Sequence, residues 1–313
     1  MSRWLWRPRF FRPRLSVIVI VYDMDREAPR TLRSLAVPYQ RGIAERDYEV
    51  IVIDNGSPVP LGEDRVRALG PQFRYHYLRD AQRSPAAALN QGVAKSRGDI
   101  VGLFIDGARI ASPGLLSTAL QGFRLDRDPT VATLGWHLGP EVQNQSIAKG
   151  YCRAEEDRLL EAIAWPNDGY RLFEIATLAG SSYRGYFATP AESNALFMTR
   201  HAFRELGGFD PAFDLPGGGL VNLDFFIRAL EREDAPLIML LGEGTFHQMH
   251  GGAATGVADV GVRFQAWSEQ YRMIRGKAWQ HPDKPMTLLG ALPPAARKSL
   301  FDSVDALRAV SSA

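Results

Sequence analysis

The chain reads as an α/β protein built on a doubly wound, largely parallel sheet with helices on both faces. Continuous runs of β-branched and aliphatic residues recur along it, as expected of strands buried on both sides. Segments with helical apolar spacing separate these runs at crossover length. Acids follow directly after several of the runs, and in such sheets ligands gather beyond the carboxyl ends of the strands.

LSVIVIVY (15–22) is the first strand, and residues 27–37 form a helix with Leu32 and Leu35 inward. YEVIVID (48–54) is the second strand, 63–70 a short helix, and FRYHYL (73–78) the third strand. The segment 84–98 is a helix with Ser84 suited to the N-cap, Pro85 to the first turn and Gly98 to the stop. DIVGLFID (99–106) is the fourth strand, 113–125 a helix, and TVATLGWHL (130–138) the fifth strand. The second half is less regular. An acidic helix spans 153–164, a Gly/Tyr/Ser-rich loop 165–190, a strand 194–199 and a helix 200–206. A glycine-rich loop (207–219), an amphipathic helix (221–233) and a strand (236–242) follow, with further helices at 259–276 and beyond 293.

Composition narrows the function. Among 313 residues, Lys+Arg (37) and Asp+Glu (35) nearly cancel, which lacks the basic excess of a dedicated nucleic-acid binder. Hydrophobic residues at 45% exclude wholesale disorder. The single cysteine, Cys152, excludes an internal disulfide and a thiolate zinc cluster and fits a reducing, cytoplasmic setting. Residues 1–14 are different: five arginines, no acid, two tryptophans and two phenylalanines, without the apolar core of a signal peptide. This stretch reads either as an arm lying on an anionic membrane surface, at the inner face of the membrane, or as a terminus packing its aromatics on the domain.

The order of motifs resembles family 2 glycosyltransferases. SVIVIVYD (16–23) is similar to the family's opening strand, and VIDNGS (52–57) to its second strand and turn. RSPAAALNQGVAKSRGDIVGLFIDGA (83–108) is similar to the helix–strand block that ends in a short acidic metal-binding motif. GGFDPAFDLPGGGLVNLDFFIRAL (207–230) looks like the acceptor-side loop and helix, and FHQMHGG (246–252) stands where the family has a metal-binding histidine. The resemblance implies the GT-A fold, with a Rossmann-like central sheet. It covers about 15–252, the expected catalytic domain, between the basic arm (1–14) and a C-terminal helical extension (253–313). The donor half would be about 15–110 and the acceptor half about 111–252.

The same resemblance implies inverting transfer of a sugar from a nucleotide-diphosphate donor, UDP-linked, to a saccharide or lipid-linked acceptor in surface polysaccharide or glycolipid synthesis. Tyr22, Asp23, Asp54, Asn55, Arg83, Asn90, Asp106, Gly107 and Arg109 would serve the donor, with Asp54 accepting from the base. Asp106, His247 and His250 would hold Mn²⁺ or Mg²⁺, imidazole favouring Mn²⁺. Asn194, Asp214, Gly218, Gly219 and Asn222 would face the acceptor. The sequence departs from the family at two sites of charge. The usual second carboxylate of the acidic motif is Ala108, and the usual Glu-Asp pair at the acceptor helix is Val221-Asn222. General base catalysis then falls to Asp224 or Glu192, and Arg109 is an alternative phosphate ligand.

Two other readings stay open. The losses at Ala108 and Asn222 suit a catalytically impaired domain that binds nucleotide sugar or a partner. A nucleotidyltransferase shares the sheet but needs a glycine-rich basic loop after the first strand, and VYDMDREAPR (21–30) has no glycine. The same turn excludes a GxGxxG dehydrogenase.

Overall fold

The computed structural model describes residues 12–251 and 260–311. Most of the basic arm (1–11), Gly252 and the start of the C-terminal extension (253–259) lie outside the described residues. Residues 12–14 lead into the sheet: Arg14 N donates to Asp47 O (2.8 Å) and Arg14 O accepts from Ile100 N (3.1 Å).

In chain order the strands are β1 (Leu15–Val21), β2 (Tyr48–Asp54), β3 (Phe73–Tyr77), β4 (Ile100–Phe104), β5 (Arg109–Ala111), β6 (Thr130–Leu138), β7 (Ala176–Leu178), β8 (Ala195–Thr199), β9 (Leu237–His247) and β10 (Met286–Gly290). The helices are α1 (Ala28–Ser34), α2 (Glu63–Arg67), α3 (Ala86–Ala94), α4 (Leu115–Leu125), α5 (Gln143–Ala148), α6 (Arg153–Ala162), α7 (Arg200–Glu205), α8 (Val221–Leu230), α9 (Val260–Arg275) and α10 (Arg297–Ser311). The main sheet runs β10-β9-β6-β8-β4-β1-β2-β3. Along this path β8 is antiparallel to β4 and β6, and the remaining pairings are parallel.

The apolar runs explain why the sheet is sandwiched. In β1, Val17, Val19 and Val21 enter the core beneath α1, whereas Ile18 and Ile20 enter the core beneath α3. Each such side chain contributes about 1.5–3 kcal/mol on burial, so a strand apolar on both faces demands a helical layer on each.

A smaller upper sheet forms where β5 pairs antiparallel with β9 and β7 pairs antiparallel with β6. Residues in register across it share a face. One row, Ile110–Phe246–Trp136, points into the core, where the Phe246 and Trp136 rings stack 5.6 Å apart. The next row, Arg109–His247–His137, points the other way. The β6/β9 pairing shifts register between Ala132/Met239 and Leu134/Gly244, a bulge-like irregularity just below these rows.

Several elements depart from the sequence-based expectation. The strand expected at 236–242 continues to His247 because β5 and β6 supply partners on its two sides. The C-terminal extension is helical, as expected, but it also returns β10 to the sheet beside β9. The loop expected at 165–190 contains short 3₁₀ turns and β7, and α5 occupies a stretch with no expected element. Among the described residues no helix is long and apolar enough to cross a membrane.

Candidate functional site

The site forms at the carboxyl ends of the parallel strands. Asp106 follows β4 in a tight turn: its Oδ1 accepts from Ala108 N (3.0 Å) and its Oδ2 from Arg109 Nε (2.8 Å). Gly107 is required by close approach, since a Cβ there would lie 3.1 Å from Ile20 O and 2.9 Å from Val21 Cγ2. Ala108 is fully buried in the core on the α1 side, and its carbonyl accepts from Gln248 N (2.8 Å). The side chain at 108 packs with apolar neighbours there.

Around Asp106 stand two histidines. His247 Nε2 lies 4.0 Å from Asp106 Oδ2 and 3.0 Å from His250 Nε2. Its Nδ1 meets Gln143 Oε1 at 2.7 Å. With that oxygen accepting, the proton sits on Nδ1 and the Nε2 lone pair is presented outward. Burial, then the Arg109 charge, holds His247 well below the usual histidine range, and burial also lowers His250 against the pull of Asp106. Both imidazoles are therefore neutral at neutral pH.

The ligand atoms of Asp106, His247 and His250 all lie within 4.8 Å of one another. Two ligands at right angles about 2.1 Å from an ion lie about 3 Å apart, so the two Nε2 atoms are spaced as neighbours in one coordination sphere. The residues fit a divalent cation with mixed O/N ligation. Arg109 is buried, and its Nη1 has no partner among the described residues, which leaves an unmet donor for an anion beside this cluster.

The loop carrying His250 is clamped from below. Met249 N donates to Glu156 Oε2 (2.7 Å), and Met249 O accepts from Arg26 Nη1 (3.3 Å). Arg26 in turn pairs with Glu156 (3.1 Å), Glu27 (2.9 Å) and Asp157 (2.7 Å). Gln248 Nε2 donates to Glu27 O (3.1 Å) and Thr31 Oγ1 (3.3 Å). Thus α1, the two residues before it and α6 together fix two consecutive residues of the loop, Gln248 and Met249.

The acceptor side begins where β8 enters the sheet. Ala195 pairs with Phe104, so residues 192–194 leave the sheet at the same end as Asp106. Glu192 Oε2 accepts from Asn222 Nδ2 (2.6 Å), Glu192 Oε1 accepts from Asn194 Nδ2 (3.3 Å), and Glu192 remains partly exposed. Asp224 is different. It is 1% exposed, and both oxygens are taken by guanidinium donors: Arg228 Nε at 2.9 Å and Arg275 Nε and Nη2 at 2.6 and 2.8 Å. Asp224 is thus a buried carboxylate held by two arginines, whereas Glu192 is held by amides and stays partly exposed. Asp214 also turns aside, accepting from Gln270 Nε2 on α9 (2.8 Å). Gly217, Gly218 and Gly219 all have positive φ (76°, 82° and 54°), a path that glycine alone follows without strain. Through it, Gly217 N reaches Arg83 O (3.1 Å) and docks the loop on the start of α3.

On the donor side three of the expected residues bond within the fold. Asp54 is fully buried and accepts from Ser57 N (2.9 Å), Leu61 N (3.0 Å) and Tyr75 OH (2.7 Å), so it closes its own turn. Asn90 is spent on both backbone groups of Phe209, at 2.8 and 2.9 Å. Asn55 Nδ2 donates to Gln82 O (2.9 Å). Tyr22, Asp23 and Arg83 stay exposed around this turn, with Asp23 at a φ of 51° and its N–H on Ser57 Oγ (2.9 Å).

His137, Gln143, Arg26 and Glu156 were missed from the sequence. His137 had a usable signal, since it stands next to last in a strand read as running into the ligand-binding end. Glu156 had none: it lies in a helix read only as acidic, yet it is 0% exposed.

A family model described as glycosyl transferase family 2 matches residues 16–172. No curated protein sequence matches the chain. Among solved structures, S. aureus TarS 1–349 in complex with UDP aligns with a TM-score of 0.52 at 12% identity, over 94% of this chain and 70% of that one. The complex of the same fragment with UDP-GlcNAc gives 0.51 at 12% identity, over 94% and 71%. Against a longer TarS chain the TM-score is 0.51 at 13% identity, and this chain spans 37% of that length. These likenesses show the GT-A fold. With the family match covering half of its length, the chain belongs to glycosyl transferase family 2 and is a glycosyltransferase.

Proposed function

We propose that the enzyme transfers a sugar from a UDP-sugar to a hydroxyl of a saccharide or lipid-linked acceptor, with inversion at the anomeric carbon. The observation that carries this reading is the convergence of Asp106, His247 and His250 within 4.8 Å at the carboxyl ends of the strands. These three residues would hold Mn²⁺, or Mg²⁺. The ion supplies Lewis-acid stabilisation of the negative charge that develops on the departing diphosphate. The unmet Arg109 Nη1 supports a second contact to that charge.

Glu192 takes the proton of the acceptor hydroxyl as its oxygen attacks the anomeric carbon and the bond to the diphosphate breaks through an oxocarbenium-like state. Asn222 and Asn194 orient this carboxylate, which fits the replacement of the family's acid at 222 by an amide. Residues 15–252 form the catalytic unit in this reading, and the arginine/tryptophan arm at 1–14 holds it at an anionic membrane surface, as suits a lipid-linked acceptor.

The test is thermal shift and calorimetry with UDP-sugars, with and without Mn²⁺. A donor at 100 times its Kd stabilises the fold by about 2.7 kcal/mol. Asp106→Ala removes Mn²⁺-dependent binding and donor hydrolysis together. Absence of nucleotide binding to the wild-type protein overturns the reading, and donor binding without turnover on any acceptor favours the impaired binding module.

A further inference from the structure

We propose that His137 is a donor-binding residue whose Nε2–H donates to a non-bridging oxygen of the nucleoside diphosphate. The inference rests on the UDP-sugar reading above and adds a contact that the acidic motif and the two loop histidines do not supply.

The upper sheet puts His137 in register with His247, and His247 in register with Arg109, so the three side chains stand in one row on the site face. The His137 and His247 rings are 5.6 Å apart and tilted by 50°. The tautomer of His137 is fixed by its surroundings. Its Nδ1 accepts from Gln143 N at 2.8 Å, which requires a lone pair there and leaves the single ring proton on Nε2. Among the described residues Nε2 makes no hydrogen bond, and the residue is partly exposed.

Gln143 serves both rings, its N–H on His137 Nδ1 and its Oε1 on His247 Nδ1 (2.7 Å). One residue thus turns two imidazoles to opposite uses: His247 presents a lone pair and His137 presents a proton. A lone pair suits a cation, and a fixed N–H suits an anionic oxygen beside it. Within the row, Arg109 adds a second unmet donor. Apart from Asp106, the ring and guanidinium groups here are donors or cation ligands, so the row is complementary to the oxygens of a diphosphate.

The test uses two substitutions that split the ring. In His137→Asn, Oδ1 replaces Nδ1 and keeps the bond from Gln143 N but deletes Nε2–H. In His137→Gln, Nε2 keeps a donor at the ligand end. The expected result with Mn²⁺ is UDP binding about tenfold weaker in His137→Asn, a reasonable loss for one hydrogen bond to a charged group. UMP binding should change less than twofold, and His137→Gln should stay within threefold of wild type. Equal UDP affinity in His137→Asn overturns the inference, as does equal loss of UMP and UDP, or failure of His137→Gln to restore binding. Absence of UDP binding in the wild-type protein overturns the donor reading instead, which keeps the two failures distinct. If His137→Asn does not fold, ¹⁵N-histidine-labelled wild-type protein gives the answer. UDP should shift the Nε2 resonance of His137, and an unmoved resonance overturns the contact.

Discussion

Asn222 Nδ2 lies 2.6 Å from Glu192 Oε2, joining the head of α8 to the segment that enters β8. An amide at 222 cannot act as base, and here it donates to a carboxylate supplied by the segment before β8. Glu192→Gln should lower kcat by about 10²–10⁴-fold, the usual contribution of a positioned base. The Kd for UDP should be unchanged. Single-turnover kinetics and calorimetry on the same preparation separate the two, and turnover preserved in Glu192→Gln would assign the proton to another group.

Asp224 should behave as a structural residue. Replacing it with Asn leaves Arg228 and Arg275 facing a neutral side chain in a buried setting, where loss of one partner costs about 3–5 kcal/mol. Urea denaturation should show that loss, while turnover per folded molecule stays within a few fold of wild type. A fall in kcat at unchanged stability contradicts the assignment.

Glu156 should control metal affinity from beneath the site. Its carboxylate holds Met249 N at 2.7 Å, one residue before His250. Partners behind metal ligands commonly carry 10–100-fold in affinity. Titration of Mn²⁺ into Glu156→Gln, followed by the electron paramagnetic resonance of free ion, should show a weakening of that order. An unchanged Mn²⁺ affinity removes the clamp from the account of the site.

Stability should fall with acid in a defined window. Burial and the Arg109 charge push His137 down to about 4, from the usual 6.5. The unfolded chain therefore binds a proton at this residue before the folded one does. The stabilisation is present above about pH 6.5 and is lost progressively as pH falls towards 4. His247 and His250 act in the same direction. Urea midpoints measured without metal from pH 7.5 to 5 should decline, and His137→Asn should decline less steeply. Parallel slopes in the two proteins refute the assignment.

Much of the donor half was legible because its physics is local. A strand such as β1 is apolar on both faces, so its run names it and the helices beside it. Asp106 was visible because it ends such a run. His247 and His250 were visible from the family motif, although the strand beneath them was read five residues short. What escaped were properties decided by distant partners. Nothing near Asp54 in the sequence announces that Leu61 and Tyr75 donate to it. Asp224 reads as a candidate base, and only the fold shows Arg228 and, from α9, Arg275 bonded to its oxygens. β10 is short and partly exposed, and only its pairing with β9 makes it a strand. No window of neighbouring residues contains such information.

The register shift between Ala132/Met239 and Leu134/Gly244 has an evolutionary consequence. It sets the phase with which β9 reaches its end, where Phe246 faces the core and His247 the site. Side chains alternate with period two, so one residue gained or lost between Met239 and Phe246 would exchange these destinations. Phenylalanine would be delivered to the cation ligands and imidazole to the stack with Trp136. Within this stretch, therefore, substitutions can be graded in effect, whereas single-residue insertions and deletions should be eliminated outright: the length of the segment is as much a functional character as the histidine it delivers.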